Sequence, residues 1–210
     1  MLTEPAIKRA VAFVDGQNLF HSARRAFGYN SPNYDVAALA KAICSQQGWQ
    51  LEETRFYTGV PDAADNARWN YFWTYKLRSM SRGGVVVYSR ALRYRNQSLK
   101  LPDGSMHTML VGEEKGIDIR IAIDVIRLAH QNAYDVAVIF SQDQDLSEAA
   151  DEIRRISSEQ ARWIKVASAF PVSPTLTNTR GINKTDWIRI DRATYDGALD
   201  PFDYRGPRNP

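Results

Sequence analysis

Ala10-Val11-Ala12-Phe13-Val14-Asp15-Gly16-Gln17-Asn18-Leu19-Phe20 is the stretch whose reading decides the fold. A short run of small and β-branched apolar residues, too short to span a membrane, predicts a strand buried on both faces. It stops at Asp-Gly-Gln-Asn, and a helical pattern of Leu19, Phe20, Ala23, Ala26 and Phe27 starts at once. Ligands of open α/β sheets gather at the carboxyl ends of the strands. Asp15 therefore falls where a site belongs, as a charge at the end of a buried strand. Asn18 lies about one helical turn on and can face the same crevice. The plain alternative is that either residue merely caps the helix, which both types do well.

Working outward, Phe27 to Tyr34 reads as a loop, and Asp35 as the N-cap of a helix through Val36, Leu39, Ala40 and Ile43, closed by Gly48. Leu51 to Val60 is a second strand, stopped by Gly59 and Pro61. Ala63 to Met80 carries Trp69, Phe72, Trp73, Lys76, Leu77 and Met80 at helical spacing; its aromatics belong to the core rather than to a base platform. Val85 to Tyr88 follows as a strand. The pieces Leu92–Arg95 and Leu99–Leu101, with Pro102-Asp103-Gly104 as a turn, suggest a small hairpin beside the main sheet. From Glu113 the pattern is helical again. Asp135 to Phe140 is another buried strand, ending in Ser141-Gln142-Asp143-Gln144-Asp145 with a helix directly after. Trp163–Ala169 and Trp187–Ile190 complete the strands.

Strands alternating with helices predict a three-layer α/β fold: a mostly parallel central sheet covered on both faces, with the hairpin as an insertion. The chain divides into an N-terminal extension over 1–9, one domain over 10–192 and a loosely ordered tail over 193–210. The 210 residues carry a net charge of only +3, so the distribution of charge says more than its total. Cys44 is the single cysteine, which rules out an internal disulfide and a Cys-cluster zinc site. With neither a signal-peptide pattern nor an apolar run of membrane-spanning length, the expected location is the cytoplasm, with no membrane partner.

Asp15 ends one buried strand, and Asp143 and Asp145 end another. Asp118 lies near the start of the helix feeding that second strand, on the same rim of the sheet. Crowded carboxylates repel one another unless a cation sits among them. Oxygen donors without Cys or His favour Mg²⁺ or Mn²⁺ over zinc, ions that activate water and stabilise a leaving oxygen at a phosphodiester. Three separate helix caps would also account for the same acids. Asp124, out of phase with Asp118, reads as a helix-surface acid, and Glu113 and Glu114 as first-turn acids, Glu114 alternatively as an outer ligand.

Val14-Asp15-Gly16-Gln17-Asn18-Leu19, Glu114-Lys115-Gly116-Ile117-Asp118-Ile119 and Ser141-Gln142-Asp143-Gln144-Asp145-Leu146 resemble, in order, the three signatures of NYN domains, and more narrowly the LabA-like branch of the PIN-like nuclease superfamily. The resemblance spans about residues 10 to 190. It implies a PIN-like fold, metal-dependent cleavage of RNA, and Asp15, Asp118, Asp143 and Asp145 as metal ligands. Asn18 would orient a ligand or the substrate. The family's third signature more often reads Ser-Gly-Asp-Ser-Asp-Phe; Gln142, Gln144 and Leu146 depart from it, while both acids are kept.

Lys115 and Gly116 precede Asp118 at a predicted helix N-terminus, a natural phosphate seat, though a solvated lysine reads as well. Ser141 joins Lys115 among candidate nucleic-acid contacts. Between Asn66 and Gly112 there are eight basic residues and one acid, Asp103. Arg93 and Arg95, interleaved with Tyr88 and Tyr94, suit a single-stranded backbone and its bases; a solvated basic face is the plainer reading. The leading expectation is an Mg²⁺- or Mn²⁺-dependent ribonuclease acting on single-stranded or structured RNA. The alternative is a non-catalytic RNA- or protein-binding module; a phosphatase fits the acids but not the basic stretch. Homodimerisation is left open.

Overall fold

The computed structural model describes residues 2–206. Six strands form one sheet in the order β3-β2-β1-β6-β7-β8: β1 (Arg9–Asp15), β2 (Gln50–Val60), β3 (Val86–Ala91), β6 (Val136–Phe140), β7 (Lys165–Pro171) and β8 (Asp186–Ile190). Every pairing in it is parallel. The helices are α1 (Gly16–Phe27), α2 (Val36–Gln46), α3 (Ala63–Arg82), α4 (Ile117–His130), α5 (Ser147–Glu159) and the short α6 (Arg192–Asp196). The expected three-layer α/β fold is the observed one.

β1 shows how the layers arise. Ala10, Ala12 and Val14 face a core shared with Leu19, Ala23 and Phe27 of α1, α2 and the aromatic face of α3. Val11 and Phe13 face the opposite core, with Ile117, Ile121, Val125 and Leu128 of α4 and Ile153 and Ile156 of α5. Successive side chains of a strand point to opposite faces, so a strand covered on both sides must be apolar throughout. Asp35 caps α2 as expected, accepting from the backbone N–H groups of Ala37 and Ala38 at 2.9 and 3.0 Å.

The chain leaves β1 towards β2 on one side and leaves β6 towards β7 on the other. Between β1 and β6 lies the point where the winding reverses, the place where such sheets open a crevice. Gly16 lets α1 start tight against β2: a Cβ there would stand 2.5 Å from the Phe56 ring and 3.0 Å from the Tyr57 carbonyl oxygen.

Five expectations are corrected. The hairpin exists, but both expected pieces lie in β4 (Arg93–Lys100), and its partner is β5 (Met106–Glu113). Those two strands form a sheet of their own, so neither face packs on a core and neither shows the alternation that marks a half-buried strand. Glu113 consequently ends β5, and helix α4 begins only at Ile117. A single 3-10 turn (Gln144–Leu146) separates β6 from α5.

Asp124 is not a surface acid: it is buried, with the Tyr57 hydroxyl at 2.9 Å and guanidinium nitrogens of Arg120, Arg127 and Arg55 at 3.1, 3.2 and 3.4 Å. Burial pushes its carboxyl upward, and Arg120, Tyr57 and Arg55 outweigh that, leaving it below its ordinary value.

The expected loose tail is docked as far as the structure describes it; residues 207–210 lie outside the described part. Tyr195 is fully buried against Phe27 and Tyr29, with ring centroids 5.3 and 5.4 Å away. Lys76, also fully buried, donates to the Tyr34 carbonyl at 2.9 Å and to Asp200 at 2.8 Å. Among the described residues no helix is long and apolar enough to cross a membrane.

Candidate active site

A cleft of about 490 Å³ opens over the carboxyl ends of β1 and β6 and the start of α4, lined by Asp15, Asn18, Glu114, Lys115, Asp118 and Asp143 among others. Asp15 is only 7% exposed at the end of its strand. Its Oδ1 accepts from the Asn18 N–H at 3.0 Å, so it does cap α1. Its Oδ2 accepts from the Ser141 hydroxyl at 3.3 Å. Capping and a place in the cleft are therefore compatible, not rival, roles. Burial raises the Asp15 carboxyl from 3.8 to about 6; the charges of Asp143 and Asp118 add to this, and the bonds from Asn18 and Ser141 work against it.

The third motif is strung on the first. Asn18 Oδ1 accepts from the Gln142 backbone N–H at 3.0 Å, which spends the Asn18 side chain on orienting the protein's own loop. Ser141 Oγ accepts from the Asp143 N–H at 3.1 Å, and Asp143 Oδ1 accepts from the Asp145 N–H at 3.0 Å. Gln142 and Gln144, the departures from the family pattern, bind neighbouring loops. Gln142 Oε1 accepts from the Ser22 hydroxyl (2.9 Å) and its amide donates to the Arg180 carbonyl (2.7 Å). Gln144 donates to the Gly181 carbonyl (3.0 Å) and accepts from the Asn183 N–H (3.1 Å).

Asp15, Asp118 and Asp143 thus share one cleft with Asn18 and Lys115. Asp145 does not join them: it is exposed on the 3-10 turn and outside the lining. Ser141 is buried beneath, so it bonds to Asp15 and Asp143 and is not open to a nucleic acid. Arg93 and Arg95 also lie outside the lining; they share the hairpin face of Glu113, and Arg95 forms an ion pair with it. Of the basic stretch, it is Arg90 that reaches the rim, where its guanidinium donates to the Lys115 carbonyl at 3.3 Å.

Lys115 itself is exposed, with its ammonium 3.6 Å from Glu113. Gly116 opens α4 in the left-handed region, at φ 74°, and no side chain caps that end. The first N–H groups of α4 are left to the cleft, with the positive end of the helix dipole behind them.

Two lining residues, His21 and Arg25, escaped the sequence reading, and Glu114, read as a first-turn acid or an outer ligand, is a lining residue too. Glu114 is drawn into the cleft, where its carboxylate accepts from the Gly59 N–H and from the Thr58 hydroxyl at 3.4 Å. Burial and the charges of Asp15 and Asp118 raise it from 4.5 to about 7, against the pull of the Gly59 N–H. His21 and Arg25 line the other wall. A signal for them was available: Gln17, His21 and Arg25 recur every four residues along α1, on one face of the helix.

Among the described residues no three His, Cys, Asp or Glu side chains are already gathered as a metal-holding group. The donor chemistry of the three aspartates nonetheless suits a hard divalent cation: carboxylate oxygens, those of Asp15 raised by burial first and by the charges of Asp143 and Asp118 after it. Mg²⁺ is commonly bound by one or two carboxylates together with waters and substrate phosphate, without a closed protein cage.

The solved structure of a protein of unknown function from Vibrio parahaemolyticus is similar to this chain at 21% identity, covering 94% of this chain and 99% of that one with a TM-score of 0.54, a likeness of fold alone. Ribokinase from Giardia lamblia aligns at 10% identity over 82% of this chain and 53% of that one, and its TM-score of 0.36 is too low to carry an argument. Curated proteins gave no match. The model of the NYN domain matches residues 9–174, from the first residue of β1 to beyond β7. Every acid of the cleft falls inside that match, and the chain belongs to the NYN domain family, part of the PIN-like nuclease superfamily.

Proposed function

We propose that this chain is a ribonuclease that hydrolyses RNA phosphodiester bonds with the help of Mg²⁺ or Mn²⁺, in the LabA-like branch of its family. The observation that carries the reading is the meeting of Asp15, Asp118 and Asp143 in one cleft at the sheet's switch point, beside the uncapped start of α4. Asp15, Asp118 and Asp143 would hold the cation. Bound there, such an ion supplies a water activated for attack and neutralises charge on the phosphate.

The chain's own residues divide the remaining work. The N–H groups at the start of α4, with Lys115, face the cleft with positive charge and receive phosphate oxygens. Arg90 extends that positive rim. Asn18 and Ser141 fix the loop that carries Asp143, and Glu114 ties the end of β2 to the approach of α4. Asp145, exposed and turned out of the lining, has at most an outer role.

A second reading has its own support: the Asp15 and Asp143 carboxylates serve as caps, and Gln142 and Gln144 are tied into loops, as in a module that binds without turnover. One assay separates the two. Purified protein is incubated with mixed RNAs and Mn²⁺ or Mg²⁺, with and without EDTA. Cleavage that EDTA abolishes, and that Asp15→Asn and Asp143→Asn both lose, supports the enzyme. RNA binding without cleavage selects the module.

A further inference from the structure

Beside the acidic cleft runs a second depression of about 220 Å³ whose character is the opposite. Gln17 and His21 line both, so the two are continuous across one face of α1. The cleft is walled by charges; no charged residue lines the second groove, provided His21 is neutral. Burial and the nearby Arg25 and Arg24 lower the His21 imidazole below its ordinary value, which keeps it neutral at pH 7.

Aromatic rings from two elements line this groove. Phe20, half-buried, stands 5.3 Å from the His21 ring on α1. Trp69 and Trp73 come from α3: Trp73 is buried, a core aromatic as expected, whereas Trp69 is not wholly core but half-buried, open to the groove and held edge-on by Phe72 at 5.0 Å. Asn66 sets where Trp69 stands. Its backbone leaves helical geometry (φ −151°, ψ 79°), and its side-chain oxygen accepts from the Trp69 N–H at 3.2 Å, capping the turn that carries that tryptophan. The Gln17 amide has no protein partner among the described residues. Large apolar rings left partly open beside a charged cleft, with the unpaired Gln17 amide at the edge, suit a ligand with flat apolar faces and hydrogen-bonding edges.

We propose that this groove is a base subsite, taking one unstacked nucleobase of an RNA strand whose phosphate lies in the adjoining cleft. This rests on the reading of the cleft as an RNA site. Aromatic rings supply sequence-tolerant stacking, and the Gln17 and Asn66 amides reach for the base edge. Phosphate and base are thereby sorted onto surfaces of matching character, charged on one side of α1's exposed face and uncharged on the other. A base inside a duplex cannot be presented this way without unpairing, so the subsite selects single-stranded segments.

The experiment uses Asp15→Asn protein in Mg²⁺, so that RNA is not consumed, and measures anisotropy of a labelled single-stranded oligonucleotide. A set of the same RNAs, each with one abasic nucleotide at a different position, is titrated in parallel. Removing one base–aromatic stack weakens binding by about five- to 150-fold. The expected result is a loss in that range at one abasic position, a similar loss for Trp69→Leu with the intact RNA, and no further loss when the two are combined. Should Trp69→Leu fail to fold, the abasic series on the parent protein decides alone. Intact RNA binding with no loss at any abasic position overturns the subsite and leaves the ribonuclease reading standing. No binding of any RNA by the parent protein overturns both.

Discussion

Replacing Asp15 by Asn tests the electrostatics of the cleft without relying on any substrate. The carboxyl is buried and held at about 6 where 3.8 is ordinary. That difference corresponds to about 3 kcal/mol, the cost of keeping the group ionised in the folded, metal-free protein at neutral pH. Asn keeps the oxygen that caps α1 at Asn18. Its amide nitrogen meets Ser141, whose hydroxyl can turn and accept in place of donating. The substitution therefore removes the charge with little loss of bonding, and the expected gain is about 1–3 kcal/mol, or about 2–10 °C in Tm for a chain of this size.

The sign of the pH dependence follows from linkage. Asp15 has a folded value above its unfolded one, so the folded state holds the extra proton between about 3.8 and 6. Its contribution favours folding below that window and is lost as pH rises through about 6. The variant's advantage should be full at pH 7.5 and shrink on acidification towards pH 4. Thermal melts of wild type and Asp15→Asn in EDTA, from pH 4 to 8, measure it. A variant less stable than wild type at pH 7.5, or an advantage that grows towards acid, refutes the argument; either would mean that Asp15 is worth more as a paired anion than it costs as a buried one.

Lys76→Met leaves Asp200 without its buried cation and should cost about 3 kcal/mol; urea melts read the loss, and proteolysis should then cut first within 197–206. Arg90→Ala should lower the slope of log affinity for RNA against log salt by about one, whereas Arg95→Ala, whose guanidinium is engaged with Glu113, should lower it less; equal slopes would show that the rim of the cleft takes no phosphate. Cys44 is buried and its thiol is pushed up to about 12, so native protein should resist iodoacetamide at pH 8 while urea-unfolded protein reacts fully.

What the sequence made legible was whatever is encoded locally. The apolar run Ala10–Val14 and the caps at Asp15 and Asp35 read directly, because burial on both faces and a cap's hydrogen bonds each leave a mark within a few residues. The three motifs placed Asp15, Asp118 and Asp143 together because right-handed crossovers put parallel strand ends on one rim. Where reading failed, the deciding partner was distant. Asp124 is buried because Arg55 and Tyr57 of β2 reach it, about 70 positions away in the chain. The Gly- and Pro-rich stretch after Tyr195 has the composition of a loose tail, yet Tyr195 enters a cage of rings and Lys76 claims Asp200. The hairpin was misassigned for the converse reason. Beyond Tyr94, strand Arg93–Lys100 is exposed and pairs only with its neighbour, so no alternation was imposed on it.

That hairpin is also a module in the engineer's sense. It is rooted near Leu92, Tyr94 and Gly112, with the Tyr94 hydroxyl accepting from the Asp62 N–H at 3.2 Å, and its tip at residues 101–105 is exposed on all sides. No ladder of the six-stranded sheet passes through it. Its length is thus uncoupled from the architecture that holds the acids: residues can be added in pairs at Pro102–Gly104, or a dye attached there, while the register of β1 against β6 stays as it is. The arm offers an address on the molecule at which size, reach and label can be varied as independent quantities.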